Sequence, residues 1–136
     1  IKDLSYLFCD SDKGFGLGKF CGDISNWDMS GIETCNDMFT LNKSIETVVL
    51  PDTLVKIDKA MFWGCMKLTH VDLPDNLETI EDAAFMQSSL EEIHIPTTVK
   101  YIGSYAFDSC QRLKNIDLSG LTTNKQIREA ISNAIR

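Results

Sequence analysis

The chain has 136 residues, 43% of them hydrophobic and 24% charged, a balance that suits one compact domain. Its 13 basic residues are scattered among 20 acidic ones, leaving a formal net charge of −7, which excludes a nucleic-acid partner because phosphate binding needs clustered Lys and Arg. No apolar run approaches the ~18 residues of a membrane-crossing helix, and no export signal opens the chain; since it begins at Ile1 rather than Met, a fragment of a longer protein is expected, with any signal or anchor outside it.

In chain order, IKDLSYLF (1–8) is a partial repeat, followed by a loop around Gly14 to Gly18. FCGDISNWDMSGIETCNDMF (20–39) ends in IETCNDMF (32–39), which echoes residues 1–8 at a step of 31. From Ile45 a shorter period takes over. LVKIDKAMFWGCMKLTHVDLPD (54–75), LETIEDAAFMQSSLEEIHIPT (77–97) and VKYIGSYAFDSCQRLKNIDLSG (99–120) align at every apolar position. Pro51, Pro74 and Pro96 coincide, as do Ile57, Ile80 and Ile102, and Phe62, Phe85 and Phe107. The proline steps are 23 and 22 residues, so the middle unit is one residue short, between Phe85 and Leu90.

A second anchor, apolar-x-x-apolar-x-apolar, recurs as Ile24/Trp27/Met29, Ile45/Val48/Leu50, Leu68/Val71/Leu73, Leu90/Ile93/Ile95 and Leu113/Ile116/Leu118. Its alternation predicts one short strand per unit, ended by the proline that follows. A single coil of this length cannot bury both its strand and its return segment, so the coils must stack, with parallel strands about 4.8 Å apart. The expected architecture is α/β: a right-handed solenoid of about five coils with a parallel sheet on one face and short helical or 3₁₀ turns, carrying a Phe spine, on the other. Residues 119–136, with Leu121, Ile127, Ala130, Ile131, Ala134 and Ile135 at helical spacing, predict a C-terminal capping helix.

The phrases LPDTLVKIDKAMFWGC, LPDNLETIEDAAF and IPTTVKYIGSYAFDSCQRL resemble the BspA-type leucine-rich repeat, and FCGDISNWDMSGIETCNDMF is similar to a companion repeat of bacterial surface proteins. The resemblance divides one domain into surface-protein-type repeats (1–44), BspA-type repeats (45–118) and the cap (119–136). It implies a non-catalytic bacterial surface or secreted module that adheres to or binds protein, with no cofactor. Cys21 and Cys35 replace the usual Asn and Met, Ser88 stands where Cys65 and Cys110 stand, and only Gly103 keeps the Gly after Ile. These departures touch packing and turns, not the fold.

The outward positions of the predicted strands form two ladders, Asn26, Thr47, His70, Glu92 and Asn115, and Asp28, Val49, Asp72, His94 and Asp117. A binding surface built on the rigid sheet must use them. Both histidines of the chain fall here, each opposite a carboxylate: His70 facing Glu92, and His94 facing Asp72. Three readings stay open: a face that binds a protein or glycan partner on a host, matrix or neighbouring cell; a stalk or spacer; and a metal or catalytic site at the His/carboxylate cluster. The histidines also make the face a candidate pH-dependent contact, because imidazole changes charge between about pH 5 and 8. Cys65 and Cys110 sit two coils, about 10 Å, apart, beyond the ~7 Å limit for a disulfide. The cysteines therefore read as core thiols, with Cys9 and Cys21 the one pair left open. No nucleophile or phosphate-loop motif is present. Trp27 is expected in the core and Trp63 part-exposed at a turn.

Overall fold

The computed structural model describes residues 2–9 and 24–117. Seven short strands follow in order: β1 (Thr47–Val49), β2 (Lys56–Ile57), β3 (His70–Asp72), β4 (Thr79–Ile80), β5 (Glu92–His94), β6 (Tyr101–Ile102) and β7 (Asn115–Asp117). The strands of the apolar anchor are β1, β3, β5 and β7, and each pairs parallel and in register with a partner one coil away: β1 with β3, β5 with β7. In β1, β3 and β5 the middle residue is buried and its neighbours are exposed, the period-2 pattern of a half-buried strand.

The opposite side departs from expectation. Among the described residues there is no helix; the isoleucines Ile57, Ile80 and Ile102 instead lie on a second parallel sheet, β2-β4-β6. The turn that follows each of them looks helical in sequence but divides its amides between two uses. The N–H groups of Met61, Trp63 and Cys65 fold back onto the carbonyls of Asp58, Ala60 and Phe62 at 3.2, 3.1 and 3.3 Å. Those of Ala60, Phe62 and Gly64 leave the coil for the carbonyls of Asp82, Ala84 and Met86 at 3.1, 2.8 and 2.8 Å. The preceding coil repeats this through Asp37, Phe39 and Leu41 (2.9, 2.8 and 2.7 Å to Lys59, Met61 and Trp63), and the following one through Ala83, Phe85 and Gln87 (3.0, 2.8 and 2.9 Å to Ser104, Ala106 and Asp108). A helix would keep all these amides inside the segment; the solenoid spends half of them joining its coils.

Aiming alternate amides outward demands left-handed backbone. The residues two before and two after each spine Phe have positive φ: Asp37 and Leu41, Ala60 and Gly64, Ala83 and Gln87, Tyr105 and Ser109. Gly64 alone in this set is spared the Cβ penalty. Between these positions the rings of Phe8, Phe39, Phe62, Phe85 and Phe107 stack with centroids 5.2, 5.0, 5.3 and 5.5 Å apart. All five side chains are buried, at the centre of the core.

The first coil obeys the same rule across the longer step. Leu4, Tyr6 and Phe8 donate to the carbonyls of Thr34, Asn36 and Met38 at 2.9, 3.2 and 2.7 Å, and Asp3 bridges Thr34. Where the 31-residue step meets the 23-residue one, Asp58 joins the units. It is 5% exposed, accepts the Cys35 and Lys59 N–H groups at 3.1 and 2.9 Å, lies 3.6 Å from the Lys56 ammonium, and takes the Asn36 amide at 2.6 Å. A carboxylate buried among this many donors is stabilised in place.

Trp27 is a second correction. Residues 24–29 form no strand; the Trp27 N–H closes a turn on Ile24 O at 3.0 Å, and the indole is 36% exposed, tilted 6.0 Å from the Phe8 ring. Thr53 holds this unit instead, its hydroxyl accepting the Met29 N–H at 2.8 Å and donating to Trp27 O at 3.1 Å. The predicted capping helix at 119–136 and the loop around Gly14 to Gly18 lie outside the described residues.

Two substitutions rank the forces. Phe85→Ala, in mid-spine, lowers unfolding free energy by about 3–5 kcal/mol. Gly64→Ala, with φ of +68° and a new Cβ 2.6 Å from Leu41 Cδ2, loses about 1–2 kcal/mol. Denaturant titration of both variants should reproduce that order.

Candidate binding face

The strand side presents what the alternation predicts for three of its four strands. Thr47 and Val49, His70 and Asp72, and Glu92 and His94 are all exposed, while Val48, Val71 and Ile93 between them are buried. On β7, Asn115 stands level with Glu92 and Asp117 with His94. Asn26 and Asp28 do not join the ladders. They are exposed on the turn before Met29, where the Asp28 carboxylate accepts the Ser30 N–H at 3.0 Å and its hydroxyl at 2.6 Å, an arrangement that holds its pKa below the usual carboxylate range.

Across the β3–β5 gap, His70 Nε2 lies 3.5 Å from Glu92 Oε1, and its Nδ1 lies 3.0 Å from Thr69 Oγ1. With 51% and 61% of these side chains exposed, the pair contributes at most about 1 kcal/mol to folding. Its value is as chemistry on display. Among the described residues, no group of three His, Cys, Asp or Glu side chains is placed to hold a metal ion.

One geometric feature of the face escaped the sequence reading. β1 pairs with β3 and β5 with β7, yet β3 and β5 share no ladder; they are tied at their entrance by the Glu91 N–H to Thr69 O bond of 3.1 Å. The seam adjoins the unit that is one residue short. In the full-length units Leu68 and Leu113 close a turn on Cys65 and Cys110 at 3.1 Å each, whereas here the Ser89 hydroxyl binds Met66 O on the neighbouring coil. An open cleft of 720 Å³ lies along the seam. His70, Asp72, Glu92 and His94 form its rim; Val71, Leu73, Ile93 and Ile116 supply its apolar surface.

The second sheet was also missed, because each strand contributes only two residues. Polar-apolar pairs at one position of the period (Lys56-Ile57, Thr79-Ile80, Tyr101-Ile102) are the signal that marks it. It exposes Val55, Tyr101 and Tyr105. Tyr101 Oη lies 3.4 Å from the Asp82 carboxylate, whose negative charge raises the phenol pKa. Trp63 is part-exposed on this side of the chain's turns.

The thiols have a structural place. Asn42, Cys65, Ser88 and Cys110 each stand three residues after a spine Phe. Asn42 Nδ2 donates to Phe8 O at 3.3 Å, Cys65 Sγ to Phe39 O at 3.1 Å and Cys110 Sγ to Phe85 O at 3.0 Å. Asn42, Cys65 and Cys110 thus place a small donor at one position of the period, while the Ser88 hydroxyl lies 3.5 Å from Cys110 Sγ. Cys35, Cys65 and Cys110 are free thiols. Burial pushes all three pKa values up, that of Cys35 to about 12 with the Asp58 charge assisting.

The sequence pattern of the BspA type leucine rich repeat region matches residues 33–133 in six copies, and the chain belongs to that family. It is a family of repeat modules, and the similar solved structures are bacterial proteins. A leucine rich cell surface protein of Faecalibacterium prausnitzii shares 38% identity over 54% of this chain and 20% of its own, with a TM-score of 0.54. A leucine-rich repeat protein of Bacteroides ovatus shares 31% over 65% of this chain and 24% of its own, with a TM-score of 0.61. The pneumococcal vaccine antigen PcpA shares 30% over 60% and 20%, with a TM-score of 0.57. The chain thus spans a quarter or less of each of these proteins. No curated protein matches it.

Because the thiolate is the reactive form, Cys35, Cys65 and Cys110 should resist iodoacetamide at pH 7.5 in the folded protein and alkylate fully in denaturant. Peptide mass mapping reads this site by site.

Proposed function

We propose that this chain is a non-catalytic binding module of a bacterial surface or secreted protein, and that its partner, a protein of host, matrix or neighbouring cell, docks on the β1–β3–β5–β7 face. The observation that carries this reading is the exposed ladder Thr47, Val49, His70, Asp72, Glu92 and His94, continued in register by Asn115 and Asp117, on strands whose middle residues pack into or against the shared core. A rigid face binds without ordering its own side-chain supports, which conserves affinity. The leucine rich cell surface protein among the similar structures supports the address, and among the described residues no helix is long and apolar enough to cross a membrane.

The N-terminal unit belongs to the same reading as a surface-protein repeat (1–44) stacked ahead of the BspA-type repeats (45–118), with 119–136 as the cap. Its support is the continuation of the Phe stack and the alternate-amide bonding into residues 2–9. The same continuity favours a second reading, a spacer within a much longer protein, since a uniform spine is also how a stalk is built.

The two readings separate in a pull-down from host-cell and matrix extracts. With His70, Asp72, Glu92 and His94 all changed to Ser in a variant whose thermal unfolding matches the parent, a docking face predicts at least tenfold less captured partner. Equal capture, or none by either protein, supports the spacer.

A further inference from the structure

We infer that the β3–β5 cleft receives a lysine or arginine side chain from an extended segment of the partner protein. The inference rests on the docking face proposed above and names its anchor. A cationic side chain has a long apolar stem and a charged tip, and the cleft has the matching form. Leu73 and Ile116, part-exposed, together with the edges of Val71 and Ile93, give the stem an apolar bed, and the Asp72 and Glu92 carboxylates stand on the rim beside two imidazoles. The two carboxylates make the rim negative. The strand entrances add Glu46 and Glu91, both exposed, in a chain of net charge −7.

The seam makes the site more than a row of charges. Restoring the missing residue by inserting one Lys between Ser88 and Ser89, after the pattern of Met66-Lys67, lengthens the short turn while leaving every rim residue in the sequence. If the cleft holds the ligand, closing it weakens binding.

The test is a titration of the full 136-residue chain with tetralysine, tetraglutamate and a neutral Gly-Ser tetrapeptide, read by amide NMR shifts at pH 7.5. We expect saturable shifts at residues 70–72 and 92–94 with tetralysine alone, and at least a tenfold loss of affinity in Glu92→Gln. Equal binding of tetralysine by Glu92→Gln and by the insertion variant, or binding of the neutral or acidic peptide at the same residues, overturns the inference. The docking face itself is judged separately: if the captured partner depends on the four rim residues but tetralysine fails to compete for it, the cationic anchor is wrong and the face stands. If the quadruple Ser variant captures the partner as the parent does, both fall.

Discussion

Every second amide of the return turn points out of its own coil. That single constraint explains features that otherwise look unrelated: the absence of helix among the described residues, the pairs of left-handed residues around each spine Phe, and the near-parallel ring stack, with interplanar angles of 5°, 2° and 4° from Phe39 to Phe107. An inter-coil hydrogen bond at Phe62 N–H fixes the height of one coil over the next, and the ring attached to the same residue is then held about a stacking distance from its neighbour. Hydrogen bonding and apolar packing thus report the same spacing, so neither can relax without the other.

The β1–β3–β5–β7 side inherits its rigidity from that lock. β1, β3 and β5 are only three residues long, too short to be stable as an isolated sheet, and their exposed residues gain definition because the middle residue of each is anchored in the common core. Irregularity is tolerated at the points where a side chain substitutes for the backbone. Asp58 supplies the acceptor for Cys35 where the repeat length changes, and the Ser89 hydroxyl supplies a donor where the middle unit loses a residue. The second of these adjoins the seam between the two histidine-bearing strands.

Much of this was legible in the residues. The apolar-polar-apolar cores around Val48, Val71 and Ile93 placed the strands and both sides of each ladder, because alternation has a unique reading when one face is buried. The phenylalanines at equal positions marked the spine. What misled was the A-F turn, whose spacing is that of a helix; pattern shows which side chains go inward, but not whether an amide bonds within its coil or to the next one. Trp27 misled for a similar reason. Its unit has the anchor pattern, yet Thr53 from the loop after β1 takes the Met29 and Trp27 backbone groups that a ladder would use. The seam lay beyond reach: the missing residue was visible, while its effect on β3 and β5 depends on three-dimensional closure.

The measurement that bears most directly on the alternate-amide lock is native-state hydrogen exchange resolved by residue. The inter-coil amides of Phe39, Phe62 and Phe85, together with the intra-coil amides of Met61 and Trp63, should exchange only with global unfolding and share one free energy, since both sets are needed to hold the coils. Exchange of Phe39, Phe62 and Phe85 at rates typical of surface turns, with Met61 and Trp63 still protected, would mean that each turn is satisfied within its own coil, and would contradict the account.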